Sequence, residues 1–292
     1  MTATVHDHRP CTLGEGPLWH PERQQLFWFD IVNARLLSQD AGTAREWQFD
    51  RMVSAAGWVD HDRLLIASES DLFLFDLETG TETHVIPLEA DRPDNRSNDG
   101  RADPWGGFWI GTMDKAGNAP SGSIYRYWQG ELRRLHDGLT TPNAICFAPD
   151  RSCAYFADTR KRMIFCQSLD PATGWPAAAA ETFLDLRARD GEPERKPDGA
   201  VTDAAGNLWI AQWGSARVAC HAPDGRFLHA VPLPTPHSSC PAFGGPDLTT
   251  LYVTTARQGL SEDAPGHADF AGKTYVAEVP ATGRAEPAVQ LS

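Results

Sequence analysis

Residues 196–210 read KPDGAVTDAAGNLWI, and this stretch is the basis of the fold prediction. It opens with a carboxylate, Asp198, set between a proline and a glycine, where a bent backbone can aim the side chain. Turn-forming residues follow at 203–207, and an apolar run begins at Leu208. We interpret the stretch as a loop, a short strand, a turn and a second strand.

The same unit recurs along the chain. Six short apolar runs each follow a turn, and successive runs begin 38, 44, 46, 54 and 43 residues apart. A period near 45 residues with several short strands per repeat is typical of β-propeller blades. The runs begin at Leu26, Leu64, Phe108, Ala154, Leu208 and Leu251.

The repeat predicts an all-β fold: a six-bladed β-propeller with one four-stranded antiparallel sheet per blade around a central channel. No composition shift marks a boundary, so we expect residues 1–292 to form one domain. Ring closure removes exposed sheet edges, and we expect residues 4–6 to pair with residues 275–278 in the last blade. The alanine-rich segment 177–188 is interpreted as partly helical or loop, with a proline-containing excursion at 191–194.

Composition argues against several classes of function. The chain has 39 acidic and 26 basic residues, and its net charge of −13 disfavours nucleic acid or an anionic membrane as a partner. No apolar run approaches the ~20 residues of a membrane-spanning helix, and the polar first ten residues do not resemble a secretory signal. We expect a cytoplasmic monomer or weak oligomer whose six cysteines are reduced and mostly buried.

One position of the repeat carries different residues in the six copies. The innermost strand of each blade should run along the channel, so the residue 10 or 11 positions before each apolar run should lie in a similar place in every blade. These residues are Glu15, Ser54, Asn98, Asn143, Asp198 and Cys240. Four of them carry a carboxylate or carboxamide oxygen, the ligand type that hard divalent cations prefer. The spacing therefore predicts a metal site at one mouth of the channel.

A plainer interpretation of these residues is that each one caps a turn. Asn and Asp next to Gly or Pro do so commonly. Turn capping, however, does not require matching positions in successive repeats, which is why the metal site is the preferred hypothesis.

Seven short motifs carry a resemblance to a known family. Together and in this order they resemble the gluconolactonase/regucalcin (SMP-30) family of six-bladed propeller lactonases, and they extend over nearly the whole chain. The motifs read LGEGPLW at 13–19, SNDG at 97–100, IGTM at 110–113, PNAI at 142–145, KPDG at 196–199, NLWIA at 207–211 and FGGPDL at 243–248.

The resemblance implies roles for five residues. Glu15 of the G-E-G-P motif and Asn143 of the P-N-A motif would bind the metal. Asp198 of the P-D-G motif would be both a metal ligand and the general base. Asn98 of the N-D-G motif, and Arg96 two positions before it, would contact the substrate. The cofactor implied is one divalent metal ion, with Ca, Zn, Mg, Mn and Fe(II) all left open.

One position departs from the family pattern. Regucalcin-like members have an acidic substrate contact three residues after the G-T-M motif, where this chain has Ala116. The nearby Asp114 is out of register. The identity of the sugar and the role of Asp114 are therefore not predicted.

The leading hypothesis is metal-dependent hydrolysis of a sugar lactone, an aldonolactone, to the aldonic acid. The metal would polarise the lactone carbonyl, Asp198 would activate water, and Arg96 and Asn98 would hold sugar oxygens. Trp213 would either wall the pocket or fill the core. The alternatives are an esterase or organophosphate hydrolase of the same architecture, and a non-catalytic calcium- or protein-binding propeller. The chain lacks a G-x-S-x-G elbow and a P-loop, so a serine hydrolase of that type and nucleotide binding are not indicated.

Overall fold

The computed structural model describes residues 1–40, 42–187, 194–263 and 266–291. Within these residues it contains six four-stranded sheets. Five sheets each use four consecutive strands, and the sixth combines the last three strands with the first. Neighbouring strands in each sheet run antiparallel. The fold is the six-bladed β-propeller that the repeat predicted; that residues 1–292 act as one domain stays a prediction.

In chain order, the first half of the strands are β1 Thr4–Asp7, β2 Gly14–His20, β3 Gln25–Asp30, β4 Arg35–Asp40, β5 Thr43–Gln48, β6 Val53–Trp58, β7 Arg63–Ser68, β8 Asp71–Asp76, β9 Glu82–Pro87, β10 Asn95–Ala102, β11 Phe108–Asp114 and β12 Gly122–Trp128. The others are β13 Glu131–Leu139, β14 Pro142–Phe147, β15 Cys153–Asp158, β16 Met163–Ser168, β17 Glu181–Asp185, β18 Lys196–Thr202, β19 Leu208–Trp213, β20 Arg217–His221, β21 Phe227–Pro232, β22 Ser238–Gly244, β23 Thr250–Thr255 and β24 Thr274–Glu278. A short helix, α1, spans His267–Phe270.

The ring closes through the N-terminal strand, as predicted. Strand β1 pairs antiparallel with β24, with Thr4 opposite Val276 and Val5 opposite Tyr275. The last blade is therefore built from both chain ends, with β1 as its outermost strand. None of the helices in the described ranges has the length and apolar character that crossing a bilayer requires.

The alanine-rich segment forms part of a blade. Strand β17 occupies Glu181–Asp185 and pairs with β16, so the expectation of helix or loop was wrong for these residues. The pairing supplies the fourth strand that blade four needs, and its residues, ETFLD, include no alanine. The alanines at 177–180 precede the strand and form neither helix nor strand, which agrees with the loop alternative. The excursion expected at 191–194 lies outside the described residues except for its last position.

The core lies between the blades and is densest at their inner strands. The second strands β3 and β15 are buried along their whole length, whereas the outer strand β5 is mostly exposed or half-buried. Trp28, Trp109 and Trp209 lie in second strands and have no exposed surface. Five of the six cysteines are buried, and Cys166 is half-buried. The large aromatic side chains fill the wedge-shaped space between neighbouring sheets.

Every innermost strand carries a β-bulge close to its first residues. The pairing register with the second strand shifts there, so two or more inner residues face one partner. The shifts fall between Glu15/Leu18, Val53/Ala55, Ser97/Gly100, Asn143/Cys146, Pro197/Ala200 and Ser238/Pro241. The residues singled out by sequence register thus lie in bulged strands and not in the loops that lead into them. A bulge re-aims side chains, which brings them towards the channel.

The C-terminal segment, residues 279–291, crosses the opposite end of the channel. It hydrogen-bonds near the ends of two innermost strands. Val289 N donates to Trp58 O, at the end of β6, and Gln290 N donates to Gly106 O, in the turn after β10, both at 2.8 Å. Within the channel the Arg101 guanidinium pairs with the Glu286 carboxylate. The far end is thereby filled, and the mouth near the bulges is the one that stays open.

Candidate active site and metal centre

Four of the six register residues line one cavity of about 420 Å³ at the open mouth. They are Glu15, Asn98, Asn143 and Asp198, and Arg96 lines the same cavity. All five are almost completely buried, with at most 7% of the residue exposed. The geometry therefore brings together the five residues that the sequence singled out, although their roles stay predictions.

The remaining two register residues point elsewhere. The Ser54 hydroxyl donates to the Ser97 hydroxyl at 2.7 Å, between blades two and three. Cys240 packs against Gly199 in the neighbouring inner strand. Both residues pack between blades, and neither offers a carboxylate or carboxamide oxygen.

Local backbone geometry holds Glu15 and Asn143 in place. The residue after Glu15 is Gly16, whose φ is 53°, and a Cβ there would overlap the Ser54 carbonyl oxygen. The residue after Asn143 is Ala144, a buried non-glycine residue with a φ of 57°. Left-handed backbone is costly for alanine, so the surrounding packing must impose it. Both turns of the backbone redirect the preceding side chain into the cavity.

Two buried aspartates hold the chain that leads into these strands. The carboxylate of Asp30, at the end of β3, accepts from Thr12 N and Leu13 N at 3.1 Å. Asp158, at the end of β15, accepts from Thr140 N at 3.2 Å. These bonds satisfy backbone donors and fix the path of the chain into β2 and β14.

A chain of hydrogen bonds orients the carboxamides. Arg96 Nη1 donates to Asn98 Oδ1 at 2.8 Å, and Asn98 Nδ2 donates to Asn143 Oδ1 at 2.7 Å. Asn143 Nδ2 then donates to Thr159 Oγ1 at 2.8 Å, and Thr159 Oγ1 donates to Pro197 O at 2.6 Å. Blades three, four and five are linked through this chain, which leaves one lone pair of Asn143 Oδ1 available.

The carboxyl groups around the cavity carry unusual pKa values. Burial, and next the Asp99 carboxylate, raise the pKa of Glu15 to about 8. Burial, followed by the charges of Glu15 and Asp99, raises the pKa of Asp198 well above its ordinary value. Burial raises the pKa of Asp99 to about 6. Like charges held close together in a low-dielectric site each oppose the ionisation of the others.

One cation at the floor faces these acids. Burial lowers the pKa of Arg96 to about 10, although Glu15 and Asp198 act in the opposite direction. Of the three acids, Glu15 and Asp198 line the cavity, whereas Asp99 does not line it and also faces the Arg101 guanidinium. At the floor, two buried carboxyl groups thus share one guanidinium, and uncompensated buried charge is expensive. The floor is therefore short of positive charge.

The donor set fits a hard divalent cation. Glu15, Asn143 and Asp198 offer carboxylate and carboxamide oxygens from three different blades, and such a cation would supply the missing charge. Their number is small, which leaves coordination positions for water or substrate. Among the described residues, no cluster of three or more His, Cys, Asp or Glu side chains is arranged to hold a metal ion, so the asparagine is essential to this set.

The structure assigns Asp114 to a loop cap. Its carboxylate accepts from Asn118 N at 2.9 Å and from Ala119 N at 3.2 Å, in the loop after β11. Neither Asp114 nor Ala116 lines the cavity, whereas Gly117 of the same loop does. Trp213 also lines it and stacks on His237 at 4.0 Å, which favours the wall over the core interpretation.

Sequence reasoning missed several polar residues that line the cavity, and one buried acid. Thr159, Arg160 and Arg162 lie in the turn between β15 and β16, and Lys196 begins β18. The basic run at 160–162 was the available signal, but a short charged run usually marks a solvated turn. Asp99 lies inside the N-D-G motif and accepts from Ile145 N at 2.7 Å.

The sequence matches the family described as SMP-30/Gluconolactonase/LRE-like region over residues 13–257. The chain belongs to this family. The resemblance carried by the seven motifs is therefore confirmed, and so is the expectation that the protein is an enzyme, a hydrolase of carboxylic ester bonds.

Two curated relatives and one solved structure illustrate the match. An L-arabinolactonase of Azospirillum brasilense is 37% identical over 94% of this chain and 91% of its own length. A 6-deoxy-6-sulfogluconolactonase of Pseudomonas putida is 32% identical over 96% of this chain and 95% of its own. The crystal structure of a calcium-binding protein, regucalcin, from Agrobacterium tumefaciens superposes with a TM-score of 0.94 at 37% identity, covering 98% of this chain and 96% of that one.

Proposed function

We propose that this protein hydrolyses a sugar lactone to the open-chain hydroxy acid, using one divalent metal ion held by Glu15, Asn143 and Asp198. The observation that carries the proposal is the charge imbalance at the cavity floor. Two buried carboxyl groups with raised pKa values, Glu15 and Asp198, line a cavity whose floor, within the described residues, offers only Arg96 as a cation. The lactonase names of the family relatives support the substrate class.

A divalent cation bound by these oxygens would supply Lewis-acid polarisation of the lactone carbonyl. Asp198 would take the proton of the attacking water at a carboxylate oxygen. Because a bound cation would lower the basicity of this carboxylate, its position next to the water contributes more than its proton affinity. Asp198 is almost completely buried and lines the cavity, which limits the freedom of its side chain.

Arg96 and Asn98 would bind different substrate atoms. Arg96 uses one nitrogen, Nη1, to bond Ser97 O and Asn98 Oδ1, so other guanidinium N–H groups can donate to a lactone or hydroxyl oxygen. Asn98 Nδ2 already donates to Pro142 O and Asn143 Oδ1. Its remaining capacity is as an acceptor, so Asn98 would receive a hydroxyl hydrogen from the sugar.

The test is pH-stat hydrolysis of a sugar-lactone panel by metal-stripped enzyme, with Mg, Ca, Mn, Zn and Fe(II) restored singly. We expect turnover that depends on added metal and that falls by about 10²–10⁴-fold in Asp198→Asn, the range for loss of a positioned base. Asp247→Asn changes an exposed turn aspartate and serves as the matched control. Metal binding without turnover of any lactone would reject the proposal and favour the binding-protein alternative, which the similarity to a calcium-binding protein of Agrobacterium tumefaciens supports.

The names of the relatives do not indicate whether the substrate of this protein is charged. One is named for a neutral pentose lactone and another for a sulfonated hexose lactone. The rim of the cavity in this chain provides a further criterion.

A further inference from the structure

The rim of the cavity is cationic, in a protein whose net charge is −13. Besides Arg96 at the floor, the cavity is lined by Arg160, Arg162 and Lys196. The only acidic side chains that line it within the described chain are Glu15 and Asp198, both at the floor. Positive charge concentrated at the mouth of one cleft in an acidic protein focuses the field there.

Two of the rim cations have no acidic partner among the described residues. Arg160 Nη2 donates to Gly117 O at 2.7 Å and to Asn118 Oδ1 at 3.2 Å, and both acceptors are uncharged. In the part of the chain that the structure describes, no carboxylate forms an ion pair with Arg160 or Lys196. Arg162 differs, because it pairs with Glu194 at 2.8 Å.

The backbone positions of the rim cations are set by a turn and a strand. Arg160 lies in the turn that begins at Thr159, the residue that holds Asn143, and its bonds to Gly117 O and Asn118 Oδ1 limit its motion. Lys196 is two positions before Asp198 on β18, and both side chains line the cavity. The two charges therefore stand above the floor residues, one from blade four and one from blade five.

We propose that the natural substrate is a sugar lactone that carries an anionic group at the end remote from the lactone carbonyl, bound by Arg160 and Lys196. This inference rests on the proposed function, since it places the carbonyl at Asp198 and the anion at the rim. If the charge of the metal ion balances the two floor carboxylates, the cavity retains net positive charge from its arginine and lysine side chains. An uncharged hydroxyl group would not form an ion pair with this charge. A carboxylate, sulfonate or phosphate would each match it.

The test compares two lactones that differ only at the remote carbon. The 1,4-lactones of D-gluconic and D-glucaric acid carry a hydroxymethyl group and a carboxylate there. With metal-loaded enzyme we expect kcat/KM for the acidic lactone to be at least about tenfold higher, mainly through KM. Raising the ionic strength should reduce this preference, because the rim charges are exposed to solvent and are screened by salt.

Two variants test the residues. Lys196→Met and Arg160→Met together should reduce the acidic-over-neutral ratio of kcat/KM by about tenfold, the scale for two partly exposed ion pairs. Lys196→Met alone keeps the test valid if loss of the Arg160 bonds disturbs the loop at 117–118. Arg133→Gln removes an exposed arginine outside the cavity and should leave the ratio at the wild-type value.

The outcomes separate this inference from the proposed function. Metal-dependent turnover of the neutral lactone that equals or exceeds that of carboxylated, sulfonated and phosphorylated lactones overturns the anionic substrate while the lactonase proposal stands. A preference for acidic lactones that survives in both rim variants also overturns it. Absence of turnover of every lactone rejects both proposals together.

Discussion

Asn143 has only one amide orientation that satisfies its neighbours. Its Oδ1 accepts from Asn98 Nδ2, and its Nδ2 donates to Thr159 Oγ1. A flipped amide would set donor against donor at Asn98, which removes one hydrogen bond and leaves a buried N–H unpaired. Because Thr159 in turn donates to Pro197 O, one hydroxyl couples the position of Asn143 to the strand that carries Asp198.

We predict that Thr159→Val weakens divalent cation binding by about 10–100-fold, the usual cost of losing a group that orients a metal ligand. Valine has nearly the same shape but can neither accept from Asn143 nor donate to Pro197 O. Thr159→Ser keeps both bonds and should restore most of the affinity. The measurement is competition with a chelating dye. Equal affinities for the valine variant and the wild type would contradict the positioning role.

A half-buried histidine in β13 provides a second test at the level of single residues. His136 in β13 packs against Phe156 with ring centroids 4.4 Å apart, and its Nε2 finds no hydrogen-bond partner in the described ranges. Burial lowers the pKa of His136 below the ordinary value of 6.5. The unfolded chain therefore binds the proton more readily, so the stability associated with this residue is present above pH 6.5 and is lost as pH falls below it.

His136→Leu should remove that loss. We expect the melting temperature of the variant, relative to wild type, to rise progressively as the pH is lowered from about 8 to about 5, because leucine takes up no proton. The comparison uses the difference between the two proteins at each pH, so other titrating groups cancel. A difference that is constant over this range would show that His136 charges freely in the folded protein.

At the scale of elements, the bulged inner strands explain why the site is built on strands and not on loops. Each bulge lets a strand stay paired to its neighbour while one side chain turns towards the channel. The inner strands also approach closely where they meet. At Gly199 in β18, a Cβ would lie 2.5 Å from the Cβ and 2.9 Å from the Cα of Cys240 in β22.

Gly199→Ala should therefore destabilise the protein by about 1–3 kcal/mol, the range for overpacking, because the backbone of one strand must move. The same movement should misplace the adjacent Asp198 and lower kcat/KM for lactone hydrolysis. Adding Cys240→Gly to this variant should recover part of both losses, with Cys240→Gly alone as the control. Thermal unfolding and lactone kinetics give the two readouts. An alanine variant as stable and active as wild type would mean that the strands can separate at little cost.

On the scale of the whole molecule, the C-terminal segment and Arg101 fill the channel below the site. The Arg101 side chain belongs to blade three, donates to Ile145 O of blade four and Ala200 O of blade five at 3.2 Å, and pairs with Glu286. Only 9% of each side chain in this ion pair is exposed. Breaking a buried pair is far more costly than its net contribution, since it leaves one charge without a partner.

We predict that Glu286→Gln lowers the free energy of unfolding by about 3–5 kcal/mol, because the Arg101 charge remains buried and unpaired. Glu131→Gln breaks an exposed pair with Arg133 and should change stability by at most about 1 kcal/mol. Thermal and urea unfolding measure both variants. Equal effects of the two substitutions would show that the channel admits enough water to solvate Arg101.

The sequence by itself determined the architecture and the floor of the cavity. Apolar runs at a period near 45 residues, each after a turn, specify short strands that cannot bury their faces except against further copies, which predicts the propeller. Matching register then identified Glu15, Asn98, Asn143 and Asp198, because equivalent positions of a repeat must lie at equivalent heights along the channel. It also suggested the closing pair of chain ends, which β1 and β24 confirm.

Only the tertiary structure decided what surrounds that floor. Thr159, Arg160 and Lys196 do not share the register of the repeat, and they reach the cavity because the turns of blades four and five lean over the same mouth. The pairing of Arg101 with Glu286 joins residues 185 positions apart. Such contacts depend on the closed ring and cannot be predicted from the local sequence. A charged residue in a turn is expected to be solvated unless a distant part of the chain is known to lie beside it. The pKa values of Glu15 and Asp198 depend on this closure in the same way, because burial and like charge exist only once six blades meet.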